Sequence, residues 1–353
     1  MKVEREKLLE FTANVMKKMG CNDGSAKAVA EVLVEADMRG ISSHGVARLK
    51  RYINHINEGI IDPRGEPTVV FETPLSLVVD GNNGVGQYVA KVSMGKVIEK
   101  ARTCGIGMAS VRNSNHYGIA GYYAEMAVKN GLVGISLTNT APMVVPTFSK
   151  RALLGTNPIA FAFPICGRHP ILIDMSTSVV ARGKLEVYSR LRKEIPKGWA
   201  VDETGHTTSN PERVLTNLKE RRGGGLLPLG GESEAFGGHK GYGLALLVEL
   251  LCSGLSLGAF SYDTYTGKGK VTHFFAAFDL SLFGDPEQIK AYVIELTNVL
   301  ESAEKAIGED RIYIHGEKEY ERREESLRNG VVEIDVPTYQ ELEKIAEDLR
   351  VPW

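Results

Sequence analysis

The chain has 353 residues, 42 Lys and Arg against 44 Asp and Glu, a formal net charge of -2 and 43% hydrophobic content. That length supports about two domains with a sizeable core, and the composition excludes a disordered or fibrous protein. The near-neutral charge, with no basic arm, excludes a nucleic-acid footprint, and Cys21, Cys104, Cys166 and Cys252, without CxxC or metal-ligand spacing, read as reduced thiols of a cytoplasmic protein.

The first sixty residues predict three helices. Leu8, Phe11, Val15 and Met19 repeat at helical spacing, and Ala26 to Met38 forms a second helix stopped at Arg39-Gly40. The third starts at His44, with Ser42 or Ser43 as N-cap. On it His44, Arg48, Tyr52 and His55 fall within about 80°, while Val46, Leu49, Ile53 and Ile56 cover a separate face. A guanidinium beside an imidazole suits a carboxylate; a solvated helix face is the plain alternative. Arg51, at about 340° on the same wheel, lies near the stripe.

From Thr68 the period changes. Strands are predicted at Thr68 to Glu72 and Leu75 to Asp80, a helix at Tyr88 to Arg102, a strand at Ile106 to Val111, a helix at Ile119 to Lys129 and a strand at Leu132 to Leu137. Further β segments lie at Pro158 to Pro164 and Pro170 to Asp174, so the β/α pattern is mixed. Lys184 to Leu227, rich in charge and glycine, reads as surface loop with short helices. Gly237 to Gly243 opens an apolar helix through Leu257, interrupted by Glu249, Ser253 and Gly254 and therefore not a membrane span; no apolar leader follows Met1 to Glu6. A strand at Val271 to Asp279 and helices at Pro286 to Ala306 and Thr338 to Leu349 close the chain.

Chemistry-bearing residues gather at predicted strand ends. Arg112-Asn113-Ser114-Asn115-His116-Tyr117-Gly118 joins a strand to a helix, and its density of polar groups would be costly unless ligand or water met them. Gly118 would let a backbone or ligand approach the ring closely. Asp174-Met175-Ser176-Thr177-Ser178 ends another strand with a carboxylate and hydroxyls, able either to bind a ribose, to orient a histidine or merely to form a turn. Asn139-Thr140-Ala141-Pro142 has the same character. Asp80 to Gln87 fails as GxGxxG, and Gly237 to Gly243 fails as a Walker A loop, though it precedes a helix.

With His44-Gly45-x-x-Arg48, Asn115-His116-Tyr117-Gly118, Leu153 to Pro158, Asp174 to Ser178 and His239-Lys240-Gly241-Tyr242-Gly243-Leu244 in order, the sequence resembles the type-2 malate/L-lactate dehydrogenase family from about residue 5 to 350. The resemblance implies an α/β protein: a non-Rossmann mixed-sheet cofactor domain, 68–283, packed with a discontinuous helical domain, 1–67 and 284–353. It implies His116 as the acid/base, a substrate site of Ser43, His44, Arg48 and Tyr52, and cofactor contacts from Thr140, Asp174, Met175, Ser176, His239, Lys240, Gly316 and Glu317. NAD or NADP is the implied cofactor, a small 2-hydroxy or 2-oxo acid the implied substrate, and a homodimer the implied assembly. No metal, nucleic acid or membrane is implied. Where family members carry Ile-Pro-Gly-Glu this chain has Ile314-His315-Gly316-Glu317, and Glu232 to Phe236 stand as extra residues before the Gly-His-Lys-Gly motif. The expected activity is hydride transfer of the malate/oxaloacetate or lactate/pyruvate type. Sulfolactate or ureidoglycolate oxidation, cyclic imino acid reduction and a non-catalytic binding module are the alternatives.

Overall fold

The computed structural model describes all 353 residues. The chain runs β1 (Lys2–Glu4), α1 (Arg5–Lys18), α2 (Asp23–Met38), α3 (Leu49–Asn57), β2 (Thr68–Glu72), β3 (Ser76–Asp80), α4 (Gly86–Cys104), β4 (Ile106–Ser114), α5 (Gly121–Val128), β5 (Val133–Thr138), β6 (Ile159–Phe163) and β7 (Ile171–Met175). It continues through α6 (Arg182–Arg190), β8 (Ala200–Val201), α7 (Pro211–Glu220), β9 (Gly225–Leu226), α8 (Gly238–Glu249), β10 (Val271–Phe278), α9 (Pro286–Ser302), α10 (Glu317–Asn329), β11 (Val331–Glu333) and α11 (Val336–Leu349).

Seven strands form one mixed sheet in the order β2-β3-β4-β10-β5-β6-β7, in which only β3 and β4 run parallel. The central strand β10 is buried at nearly every position, with only Thr272 and His273 polar, because both sheet faces are covered. Phe275 and Ala277 pack with α4 and α5, whereas Phe274 and Ala276 meet Val248 and Cys252 on the other face, the alternation a strand imposes. A second core joins α1, α2 and α3 to β11 and α11, and β1 pairs antiparallel with β11 to tie the two chain ends together. Helix α2 belongs to both cores: Val32 and Ala36 face the sheet unit, Val29 and Leu33 the helical unit. The segment 284–353 is likewise divided, since Leu342, Ile345 and Ala346 of α11 join the helical core while Tyr320 of α10 packs into the sheet core.

Three sequence expectations need correction. The third helix does not begin at His44; short 3₁₀ turns at Ser42–His44 and Val46–Arg48 precede α3. The stretch 184–227 is more than surface loop, because Leu185, Ile195, Ala200, Val214 and Leu226 build a third small core with Val144 and Ala245. The apolar helix opened by Gly238 changes to a π turn over Leu250–Gly254. β1, α10 and β11 carried no usable pattern: the strands have three residues each, and α10 is almost wholly polar. No helix is long and apolar enough to cross a membrane.

Candidate active site

One wall of the central cleft comes from the helical unit. Val46 donates its amide to the Asp37 carboxylate of α2 at 2.7 Å, and Gly45 packs against that carboxylate where no Cβ would fit. The chain therefore breaks at Gly45, in extended conformation, and restarts as the turn that carries Arg48. Burial pushes the Asp37 carboxyl up to about 7. Ser43 uses its hydroxyl on His44 Nδ1 at 2.9 Å instead of capping a helix, and its carbonyl accepts from Arg48 Nε at 2.6 Å. Burial first, then the charges of Arg48 and Arg51, hold His44 down at about 4, so its ring is neutral near pH 7.

The opposite element is the loop after β4. Most of the polar groups at this strand end are met by the protein itself: Asn113 donates to Asp80 at 2.9 Å, Asn115 donates to the carbonyls of Asn83 and Gly84, and the Ser114 hydroxyl lies 2.8 Å from His273 Nε2, while Asn115 Oδ1 is buried without a partner. The glycine loop that failed as a nucleotide fingerprint serves this packing, because a Cβ at Gly86 would strike the carbonyls of Asn115 and His116. Gly118 adopts φ +86, and the neighbour brought close to it is Val32 of α2 rather than a ligand.

This scaffold fixes His116. Its Nδ1 lies 2.7 Å from Tyr52 Oη, which accepts from Gln87 Nε2 at 2.8 Å, and its ring stacks on His44 with centroids 5.5 Å apart. Tyr52 is only 1% exposed and stands behind His116, outside the cleft lining. The Tyr52 hydroxyl serves either His116 tautomer, donating to Nδ1 or accepting from Nδ1–H. Desolvation, reinforced by Arg51, His44, Arg48 and His273, holds His116 well below the ordinary imidazole range.

The cleft has a volume of about 680 Å³ and gathers Ser43, His44, Arg48, His116, Thr140, Asp174, Met175 and Ser176. Thr140 Oγ1 accepts the Thr156 amide at 3.0 Å, Asp174 accepts the Gly121 amide at the start of α5 at 2.7 Å, and Ser176 donates to the Ser178 carbonyl at 3.2 Å. These strand ends offer hydroxyls and one carboxylate beside the apolar Met175 side chain, 38% exposed, in a space wide enough for a flat heteroaromatic ring and a small acid. The residues present fit a nicotinamide-ribose unit. His239, Lys240, Gly316 and Glu317 lie outside the cleft. The first two are exposed at the start of α8, Gly316 packs on Leu172 of the edge strand, and Glu317 binds Arg311 at the rim of a separate cavity of about 760 Å³.

Sequence reasoning did not single out Gln87, Tyr265, Arg182 or Glu186, and it passed over Arg51. Arg51 and Tyr265 line the cleft, with the guanidinium 5.4 Å from the ring centroid; Arg182 and Glu186 line it as an ion pair. Arg51 had a detectable signal in its wheel position. Tyr265 had none, because its partner lies more than two hundred residues away in sequence.

Comparison with known proteins agrees with the fold. The malate/L-lactate dehydrogenase family model matches residues 3–343. A malate dehydrogenase of Pyrococcus abyssi is 45% identical over 94% of this chain and 90% of its own length. An L-sulfolactate dehydrogenase of Methanocaldococcus jannaschii is 38% identical over 99% of this chain and 97% of its own. The crystal structure of malate dehydrogenase from Entamoeba histolytica superposes with a TM-score of 0.95 at 36% identity, covering 100% of this chain and 99% of the other. A seven-stranded mixed sheet, a helical unit closed by both chain ends and a histidine cleft between them thus have a common explanation: the chain belongs to the malate/L-lactate dehydrogenase family and is an oxidoreductase.

Proposed function

We propose that the chain interconverts a 2-oxo acid and its L-2-hydroxy acid, of the malate/oxaloacetate or lactate/pyruvate type, with NAD or NADP. The observation that carries this reading is the juxtaposition of His116, fixed at Nδ1 by Tyr52, with Arg48, a guanidinium in the same cleft that has no ion-pair partner. A bound nicotinamide would supply the hydride chemistry, held by Thr140, Met175, Ser176 and Asp174. Arg48 grips the C1 carboxylate with two parallel hydrogen bonds, and neutral His44 adds a donor. In oxidation His116 takes the hydroxyl proton; in reduction it returns that proton to the carbonyl oxygen. The lowered range of His116 without substrate keeps its ring unprotonated, the form that oxidation requires, and an arriving carboxylate offsets part of the surrounding positive charge, which raises its basicity and favours the protonated form needed for reduction.

The helical unit, 1–67 with the chain's last residues, contributes the carboxylate clamp; the sheet unit contributes the acid/base and the cofactor wall. A homodimer is supported by the exposed leucines of α8 and the turn after it, Leu246, Leu247, Leu250, Leu255 and Leu257, the last 86% exposed. A cytoplasmic location suits four free thiols. The test is oxidation of NADH and of NADPH, followed by absorbance, with oxaloacetate, pyruvate, sulfopyruvate, oxalurate and a cyclic imino acid. Turnover of an oxo acid with one of the cofactors supports the reading. Turnover of the imine alone moves the chain to the imino acid reductases of the family, and cofactor binding without turnover of any of them makes it a binding module.

A further inference from the structure

Arg48 and Arg51 sit one helical turn apart, at and just inside the start of α3, and both line the cleft. Neither has a carboxylate partner in the fold: Arg48 donates to the Ser43 carbonyl, and Arg51 only lies over the ring of Tyr265. Arg182, a third guanidinium in the lining, is by contrast paired with Glu186 at 3.0 Å. The two adjacent cations repel each other, Glu186 of the same lining offsets part of the charge at Arg48 from beyond ion-pair distance, and a monocarboxylate bound at Arg48 would leave Arg51 without a counter-ion.

The placement of Arg51 is also constructed. Tyr265 adopts φ +57, in the left-handed region that a bulky residue seldom occupies. Its amide donates to the Gly269 carbonyl at 3.0 Å, and the same loop is pinned to the end of α3 by Lys268 Nζ on the Gly59 carbonyl at 2.8 Å. The ring aimed into the cleft by this turn meets Arg51 on one side and His55, with centroids 5.6 Å apart, on another. The cation–π contact keeps the guanidinium over the ring without using its N–H groups, which stay free for a planar, bidentate acceptor.

We propose that Arg51, held by Tyr265, is the second anion site of the cleft, which reads the distal carboxylate of a four-carbon 2-oxo dicarboxylate while Arg48 holds C1. This rests on the reading of the cleft as an oxo acid site and narrows it to dianionic substrates. A 2-oxo acid with an apolar side group leaves Arg51 unpaired and is discriminated against, because specificity here comes from a charge that only the right substrate satisfies.

The test compares oxaloacetate with pyruvate in wild type, Arg51→Met, Arg51→Lys, Tyr265→Phe and Tyr265→Ala. The expected result is that Arg51→Met lowers the ratio of kcat/KM for oxaloacetate over pyruvate by about tenfold to a hundredfold, the worth of a lost charged hydrogen-bond pair, while any change at His116 is shared by both substrates and cancels in the ratio. Arg51→Lys is intermediate. Tyr265→Phe keeps the ratio, and Tyr265→Ala lowers it in the direction of Arg51→Met. Equal losses for both substrates would overturn the proposal and make Arg51 a general charge near His116. A raised KM for the dinucleotide with an unchanged ratio would overturn it in favour of a cofactor phosphate contact. If wild type turns over neither acid, the dehydrogenase reading fails by itself, and equilibrium binding decides this proposal: succinate bound more tightly than butyrate, with the preference lost in Arg51→Met, sustains it, and equal binding overturns it.

Discussion

The two walls of the cleft are both rich in polar side chains, yet they differ in how those side chains are satisfied. On the sheet side, Asn113, Ser114, Thr140, Asp174 and the Asn115 Nδ2 amide find partners within the protein, and only Asn115 Oδ1 is left without one, so the first task of these groups is to hold the loop after β4 and the ends of β5 and β7 in place. On the helical side, Arg48 and Arg51 have no carboxylate at ion-pair distance, and burial, then the charges of both, holds His44 neutral. Polar density by itself therefore does not mark a ligand site. Charge that the fold leaves uncompensated does, because a folded chain tolerates it only where something else supplies the counter-charge. His116 joins the two: it is anchored on the sheet side by its loop and on the helical side by Tyr52.

The contrast is broken most severely at that junction. His116→Asn removes the proton relay and little else in the cleft, so turnover should fall by about 10² to 10⁴ while dinucleotide binding, followed by fluorescence titration, persists. Near-normal turnover would mean that another group moves the proton. Next in size is Arg48→Lys, which keeps the charge and loses the fork. It should cost about tenfold to a hundredfold in kcat/KM for every oxo acid tested, and a small uniform effect would return the segment to the status of a solvated face.

A third change separates scaffold from chemistry at one atom. Tyr52→Phe deletes the hydroxyl on His116 Nδ1 and strips Gln87 Nε2 of its acceptor in a buried site. A drop of about tenfold in kcat with a shifted limb in the pH–rate profile is expected, whereas a merely structural tyrosine would lower stability and leave the profile where it was.

How far the sequence revealed this arrangement follows from the same contrast. Long elements with a clear period, α1, α2, α4 and β10, were predicted within a few residues, and the motifs around His44, Arg48, His116 and Asp174 do converge on one cleft. What the pattern concealed depended on distant partners. The break at Gly45 is imposed by Asp37 of another helix, the role of Gly118 by Val32, and the orientation of Tyr52 by His116, sixty-four residues on. The helical wheel extended from His44 grouped Tyr52 with the cleft residues, whereas the structure sets its hydroxyl on His116 Nδ1 and lines the cleft with Arg51. His239, Lys240, Gly316 and Glu317 came from resemblance alone, and the structure leaves them away from the cleft of this chain.

The smallest expected effect tests whether the helical wall is set by the chain break. Asp37 is buried, its carboxyl is raised from 3.8 to about 7, and it accepts the Val46 amide at the turn that carries Arg48. A carboxyl whose folded value exceeds its unfolded one keeps its proton in the native state after the unfolded chain has lost it. Native stability from this group is therefore fully present below about pH 4 and declines as pH rises towards about 7, beyond which the loss is complete. Asn retains an oxygen for Val46 and cannot ionise. Asp37→Asn should thus match or fall slightly below wild type in thermal unfolding near pH 4.5 and gain on it by a few degrees near pH 8, with kcat/KM for oxo acids within about threefold. A difference in melting temperature that stays constant from pH 4.5 to pH 8 would show that Asp37 is ionised throughout and that the turn at Gly45 is held by a charged cap.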